Sequence, residues 1–212
     1  MISIEAAREY YHDHDSAHGF DHVLRVWRLA ERIGREEGAD MELLQAAALL
    51  HDVSRADEAR SGISHAEAGA ARAMEILAGQ PVERVAAVAD IIAQHRFRAG
   101  KPPDTLEARI LFDADKLDAI GAIGVARAYA VAGSYRQKLW ARVPEAYAER
   151  APEEGLADLG SDDHTPVHEY LFKLSRLAER MYTPTARRLA AERHRFMADF
   201  FAQLEAEVAG ER

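Results

Sequence analysis

The chain has 212 residues, a formal charge of −9 and no cysteine. That length fits one large domain with a core that needs no staples, and the missing cysteines exclude disulfides, thiolate zinc sites and cysteine nucleophiles. The acidic balance speaks against extended nucleic-acid binding or an anionic membrane. No run approaches about 18 apolar residues and the N-terminus lacks a signal pattern, so a cytoplasmic chain with no membrane partner is expected.

Stretches rich in Ala, Leu, Arg and Glu, without alternating runs, predict an all-α bundle of about eight to ten helices. A first helix is expected from about Ile4 to His12, followed by the polar tract Tyr11 to Gly19. Asp21 is read as the N-cap of the next helix, whose positions Val23, Val26, Trp27, Ala30 and Ile33 follow the 3-4 spacing. Gly38 ends it, and Asp40 caps a helix running through Leu43, Leu44, Ala47 and Leu50 to His51-Asp52.

After a charged loop, Ser54 to Gly62, the capping box Ser64-His65-Ala66-Glu67 opens a helix to about Ala78. Pro81 suits the first turn of another, ending near His95. A basic loop, Arg96 to Pro103, precedes a second capping box, Asp104-Thr105-Leu106-Glu107. The helix it opens is expected to carry Ile110, Leu111, Ala114, Leu117, Ile120 and Ile123, with Asp113, Asp115 and Asp118 interrupting the apolar face. Residues 133–163 are the least regular and are read as an excursion within one domain spanning 1–212. Thr165-Pro166 and Thr183-Pro184 start two C-terminal helices over about 165–209.

His-Asp occurs three times, at His12-Asp13, His14-Asp15 and His51-Asp52. The first two lie in a polar tract and read as solvated turns. Only the third closes an apolar helix, where burying an imidazole and a carboxylate without partners is costly. A divalent cation with further ligands from elsewhere answers that cost. Without cysteine, it must be held by His, Asp and Glu, which favours Mn, Mg, Fe, Co, Ni or catalytic Zn.

The order His22, His51-Asp52, then an aspartate within Asp113 to Asp118 resembles the HD-domain superfamily of metal-dependent phosphohydrolases, in its small stand-alone bacterial form. Phe20-Asp21-His22, Leu49-Leu50-His51-Asp52-Val53 and Phe112-Asp113-Ala114-Asp115-Lys116-Leu117-Asp118 carry the likeness over about residues 18–130. The tail from Tyr182-Thr183-Pro184 extends it more weakly. The resemblance implies an all-helical domain and one divalent metal on His22, His51, Asp52 and Asp115. Asp115 is chosen because the family's last ligand precedes a basic or small residue and a leucine. Asp113, about 200° round the helix, should face away, and Asp118, one turn on, is expected behind a ligating histidine.

The implied reaction is hydrolysis of a phosphate ester or anhydride in a nucleotide or similar small metabolite. His65 and His95 are read as contacts to phosphate or water; in binuclear relatives, histidines in such contexts bind a second metal. Arg25, Arg55, Lys116 and Arg96 are candidate phosphate-binding cations. Asp57, Glu58 and His95 are candidates to position or deprotonate the attacking water, with a solvated loop the alternative for the first two. Two rival readings stand: a di-iron HD-fold oxygenase, and a non-catalytic metal- and nucleotide-binding protein. A homodimer is left open.

Overall fold

A computed structural model describes residues 1–11, 19–55, 64–96, 102–144, 147 and 164–212. Among these residues every regular element is helical. The elements are α1 (Ile4–Arg8), α2 (Phe20–Glu37), α3 (Met41–Leu50), α4 (His65–Ile76), α5 (Val82–Ala93), α6 (Leu106–Asp118), α7 (Gly121–Ser134), α8 (Pro166–Phe172), a 3-10 helix η1 (Leu174–Arg180) and α9 (Pro184–Val208). The all-α architecture is as expected. The polar tract 12–18, the loop 56–63 with Asp57 and Glu58, residues 97–101 of the basic loop, and 145–146 and 148–163 of the irregular segment lie outside the described residues. No described helix is long and apolar enough to cross a membrane.

Most helix boundaries follow local chemistry, and the exceptions are instructive. Asp40 caps α3 as read, its carboxylate accepting from the Glu42 and Leu43 amides. Gly38 closes α2 in the left-handed region at φ 80°, where a residue without Cβ pays nothing. Asp21, however, lies in the first turn of α2, and Gly19 is the N-cap. Ser64 stands at the N-cap of α4 but makes no capping bond there; its hydroxyl accepts from Arg96 instead. Thr105, not Asp104, caps α6 through its bond from the Ala108 amide.

The long helix expected through Ile123 is in fact two. α6 stops at Asp118, and α7 starts at Gly121, whose φ of 78° breaks the right-handed path. Apolar spacing alone does not register such a break, because Leu117 and Ile120 before it and Val125 after it are all buried, although Ile123 is exposed.

The chain divides into two compact units, Met1–Lys116 with Tyr182–Ala186, and Leu117–Met181 with Arg187–Arg212. In the first, α2 packs along α3, α4 along α5, and α3 lies against α5. Ala46, Ala47, Ala48, Leu49 and Leu50 are all 0% exposed, so the C-terminal half of α3 is apolar on every side and sits inside the unit, while Glu42 near its start is exposed. Its C-terminal end is therefore a buried place to deliver polar side chains. α4 comes close to that end at Gly69, where a Cβ would stand 3.1 Å from the His51 carbonyl oxygen.

In the second unit α7 packs against α8. Phe201 is buried and stacked on Tyr170 at 4.3 Å, while Phe196 is half-exposed. His164 and His168, two histidines outside the motif, are buried here beside Tyr147 and Thr165.

Candidate metal centre

Five elements of the first unit converge. The first turn of α2 supplies His22, the end of α3 supplies His51 and Asp52, and α4 opens with His65. His95 follows the end of α5, and α6 supplies Asp115. His22, His51, Asp52, His65 and His95 are all buried.

Asp52 turns its two oxygens to different neighbours. Oδ2 stands 3.7 Å from His22 Nε2 and 3.8 Å from His51 Nε2. Oδ1 stands 3.7 Å from His65 Nε2 and 3.8 Å from His95 Nε2. Asp115 joins the first half through Oδ1, 3.5 Å from His22 Nε2, while its Oδ2 accepts from Lys116 Nζ at 2.6 Å. The ligating atoms of His22, His51 and Asp52 all lie within 4.8 Å of one another, as do those of Asp52, His65 and His95. Nitrogen and oxygen ligands about 2.1 Å from one cation stand roughly 3–3.5 Å apart, so the first half needs only a small contraction to close on an ion.

Backbone carbonyls set which ring nitrogen faces inward. His51 Nδ1 lies 2.8 Å from the Ala48 carbonyl and His95 Nδ1 2.6 Å from that of Ile92. A carbonyl only accepts, so each Nδ1 carries the proton and each Nε2 keeps its lone pair for the interior. These two carbonyls lie outside the His and Asp motif of the sequence. Each histidine follows an apolar helix end, three residues after a carbonyl of the helix's last turn, which has a lone pair to spare for a side-chain donor.

The protonation states suit a cation. Burial pushes His51 down, and it pushes His95 down to about 3, with His51 adding to the effect. Burial would raise Asp52, but His51, Arg55, His22 and His95 around it hold its carboxyl below the ordinary range. Burial favours the neutral form of His51 and His95, and the guanidinium of Arg55, 3.8 Å from Asp52 Oδ1, is a positive neighbour of that carboxylate. Burial is likewise outweighed at Asp115, chiefly by Lys116 and then His22, so that carboxyl stays well below its usual value. Anionic carboxylates beside neutral imidazoles are the donor set a divalent ion requires. His51 Nε2 and Asp52 Oδ1 are buried with no hydrogen-bond partner among the described residues, which a metal ligand would resolve. The residues present fit a divalent cation.

The three aspartates of α6 go three ways. Asp115 faces His22 and Lys116. Asp113 is wholly buried and accepts from the Tyr182 and Thr183 amides and the Thr183 hydroxyl, each at 2.8 Å. Asp118, expected behind a ligating histidine, has its Oδ2 bonded by Arg127 at 2.9 Å. Arg55 reaches His65 Nε2 at 3.2 Å, and Lys116 also lies 5.3 Å over the Phe112 ring. Arg25 pairs with Asp21 on the surface of α2, and Arg96 donates to Ser64.

Residues 19–120 match the HD domain family. Over 205 residues the chain is 36% identical to uncharacterized protein YpgQ of Bacillus subtilis, covering 93% of this chain and 88% of that one. The chain belongs to the HD-domain superfamily. A crystal structure of Bacillus subtilis YpgQ in complex with ADP has a TM-score of 0.73 to this HD-domain chain at 32% identity, covering 98% of this chain and 99% of that one. A predicted HD superfamily hydrolase from an uncultured Thermotogales bacterium has a TM-score of 0.64, also at 32% identity, covering 96% and 90%. The helical frame is thus that of HD-superfamily hydrolases, and its His and Asp clusters could hold a metal ion.

Proposed function

We propose that this chain is a divalent-metal-dependent phosphohydrolase acting on a nucleotide or similar small phosphorylated metabolite. The observation that carries the reading is Asp52 Oδ2 between the Nε2 atoms of His22 and His51, with Asp115 beside His22. The YpgQ structure in complex with ADP supports the nucleotide class, since that protein is similar over nearly its whole length. In this reading His22, His51, Asp52 and Asp115 hold one ion, with manganese, magnesium, iron, cobalt, nickel and zinc all compatible with the donors.

A divalent ion so held supplies an acidified water and neutralises charge on a phosphoryl oxygen. The chain's own groups do the rest. Burial excludes bulk water and strengthens each charge–dipole contact. Lys116 and Arg55 are fixed cations at the edge of the site, placed to offset phosphate charge. His95, neutral and with its Nε2 lone pair turned inward, is an acceptor that orients a water. Asp57 and Glu58 remain proposals for taking its proton.

The test is hydrolysis by manganese-loaded protein across nucleoside mono-, di- and triphosphates, with phosphate and pyrophosphate measured separately. Turnover that disappears in His51→Ala and Asp52→Ala supports the proposal. Tight nucleotide binding without turnover under several metals would leave a binding protein, and oxygen consumption with iron would leave the oxygenase.

A further inference from the structure

Asp52 Oδ1, His65 Nε2 and His95 Nε2 form a second set of converging donors beside the first. Taken by themselves, one carboxylate oxygen and two imidazole nitrogens make a plausible seat for another divalent ion. The structure places a different cation there. Arg55 NH1 stands 3.2 Å from His65 Nε2 and 3.8 Å from Asp52 Oδ1. We propose that the Arg55 guanidinium takes the role a second metal ion would otherwise fill, and so limits this centre to one ion. The inference rests on the metal-centre reading above.

The chemistry of the contact is one-sided. A guanidinium donates and never accepts, so the His65 nitrogen facing it must present its lone pair. That is the same lone pair a second ion would need. Asp52 Oδ1 accepts no hydrogen bond from Arg55, but at 3.8 Å it forms an ion pair with the guanidinium. A guanidinium differs here from a lysine ammonium: its planar fork of N–H donors suits several acceptors at once. A dication entering the seat would have to displace a cation already paired with the shared carboxylate.

The backbone holds Arg55 to this task. The Val53 amide donates to the Leu50 carbonyl and the Arg55 amide to that of Asp52. These tight turns at the end of the buried α3 bring residue 55 back onto Asp52, three positions earlier. The remaining histidine, His95, is tied to the Ile92 carbonyl, so the second donor set is fixed from the α5 side and closed by Arg55 from the α3 side.

The experiment is a count of manganese ions per chain, using manganese chloride alone, by equilibrium dialysis and by electron paramagnetic resonance. The wild-type chain is expected to hold one ion, with an uncoupled spectrum. Arg55→Gln and Arg55→Met are expected to hold two, with the spin-coupled spectrum of a carboxylate-bridged pair. Adding His65→Ala to either variant should return the count to one. Two ions in the wild-type chain, or one in natively helical Arg55→Gln and Arg55→Met proteins, would overturn the proposal. A wild-type chain holding no ion removes the metal-centre reading with it. One ion and no hydrolysis sinks only the assigned activity.

Discussion

His22 Nε2 stands 3.5 Å from Asp115 Oδ1, joining the first turn of α2 to the last turn of α6. This pairing makes Asp115, of the three α6 aspartates, the one that faces the His51-Asp52 end of α3. Asp115→Ala is therefore expected to weaken manganese binding at least about 100-fold, the upper range for losing even a ligand's supporting contact. Titration calorimetry of the purified variant reads this directly. Unchanged affinity would remove Asp115 from the donor set.

Asp113→Ala should behave differently. Its carboxylate holds the Tyr182 and Thr183 amides and the Thr183 hydroxyl, and truncation strands those donors in a buried place. The expected cost is about 2–4 kcal/mol of folding free energy, read by urea unfolding, with one manganese still bound by the folded fraction. A stably folded Asp113→Ala chain that binds no metal would reverse these assignments.

Gly69→Val tests how the end of α3 is positioned. A Cβ at Gly69 meets the His51 carbonyl at 3.1 Å and the Ile92 side chain at 3.5 Å. The backbone carrying His51 must shift to admit a branched side chain, at roughly 1–3 kcal/mol of overpacking. A lowered melting temperature together with weaker manganese binding is expected. Loss of stability with unaltered affinity would show that the strain is absorbed away from His51.

Acid stability offers a test in the second unit. Burial would raise Glu169, but Lys173 and His164 outweigh it and lower its carboxyl to about 2. A carboxyl depressed in the folded state contributes stability that is fully present above its unfolded value, about 4.3. That contribution is lost as pH falls towards about 2. Wild-type stability should thus decline across that window more steeply than that of Glu169→Gln, with the variant already weaker at pH 7. Parallel acid-unfolding curves for the two proteins would refute the assignment.

Much of this chain was legible residue by residue. Capping chemistry and 3-4 apolar spacing operate over one or two turns, so Asp40, Gly38 and the apolar α3 announced themselves locally. The His51-Asp52 pair stood out because a polar pair at an apolar helix end needs a partner, whatever the fold. Local pattern misled where a distant contact or an unusual backbone conformation intervened. Ser64 gives its hydroxyl to Arg96, and the left-handed φ at Gly121 splits one expected helix into two.

By itself, then, the sequence determined the helical class, the main helix starts and a polar pair that demands a cation, because each depends on interactions within a few residues. Only the tertiary structure decided which α6 aspartate meets His22, since successive positions on a helix point about 100° apart. It alone showed that Asp52 serves two donor sets through its two oxygens, and that Arg55 faces the second. Those relationships join α2, α3, α4, α5 and α6 across long sequence separations, and only packing fixes which side chains meet.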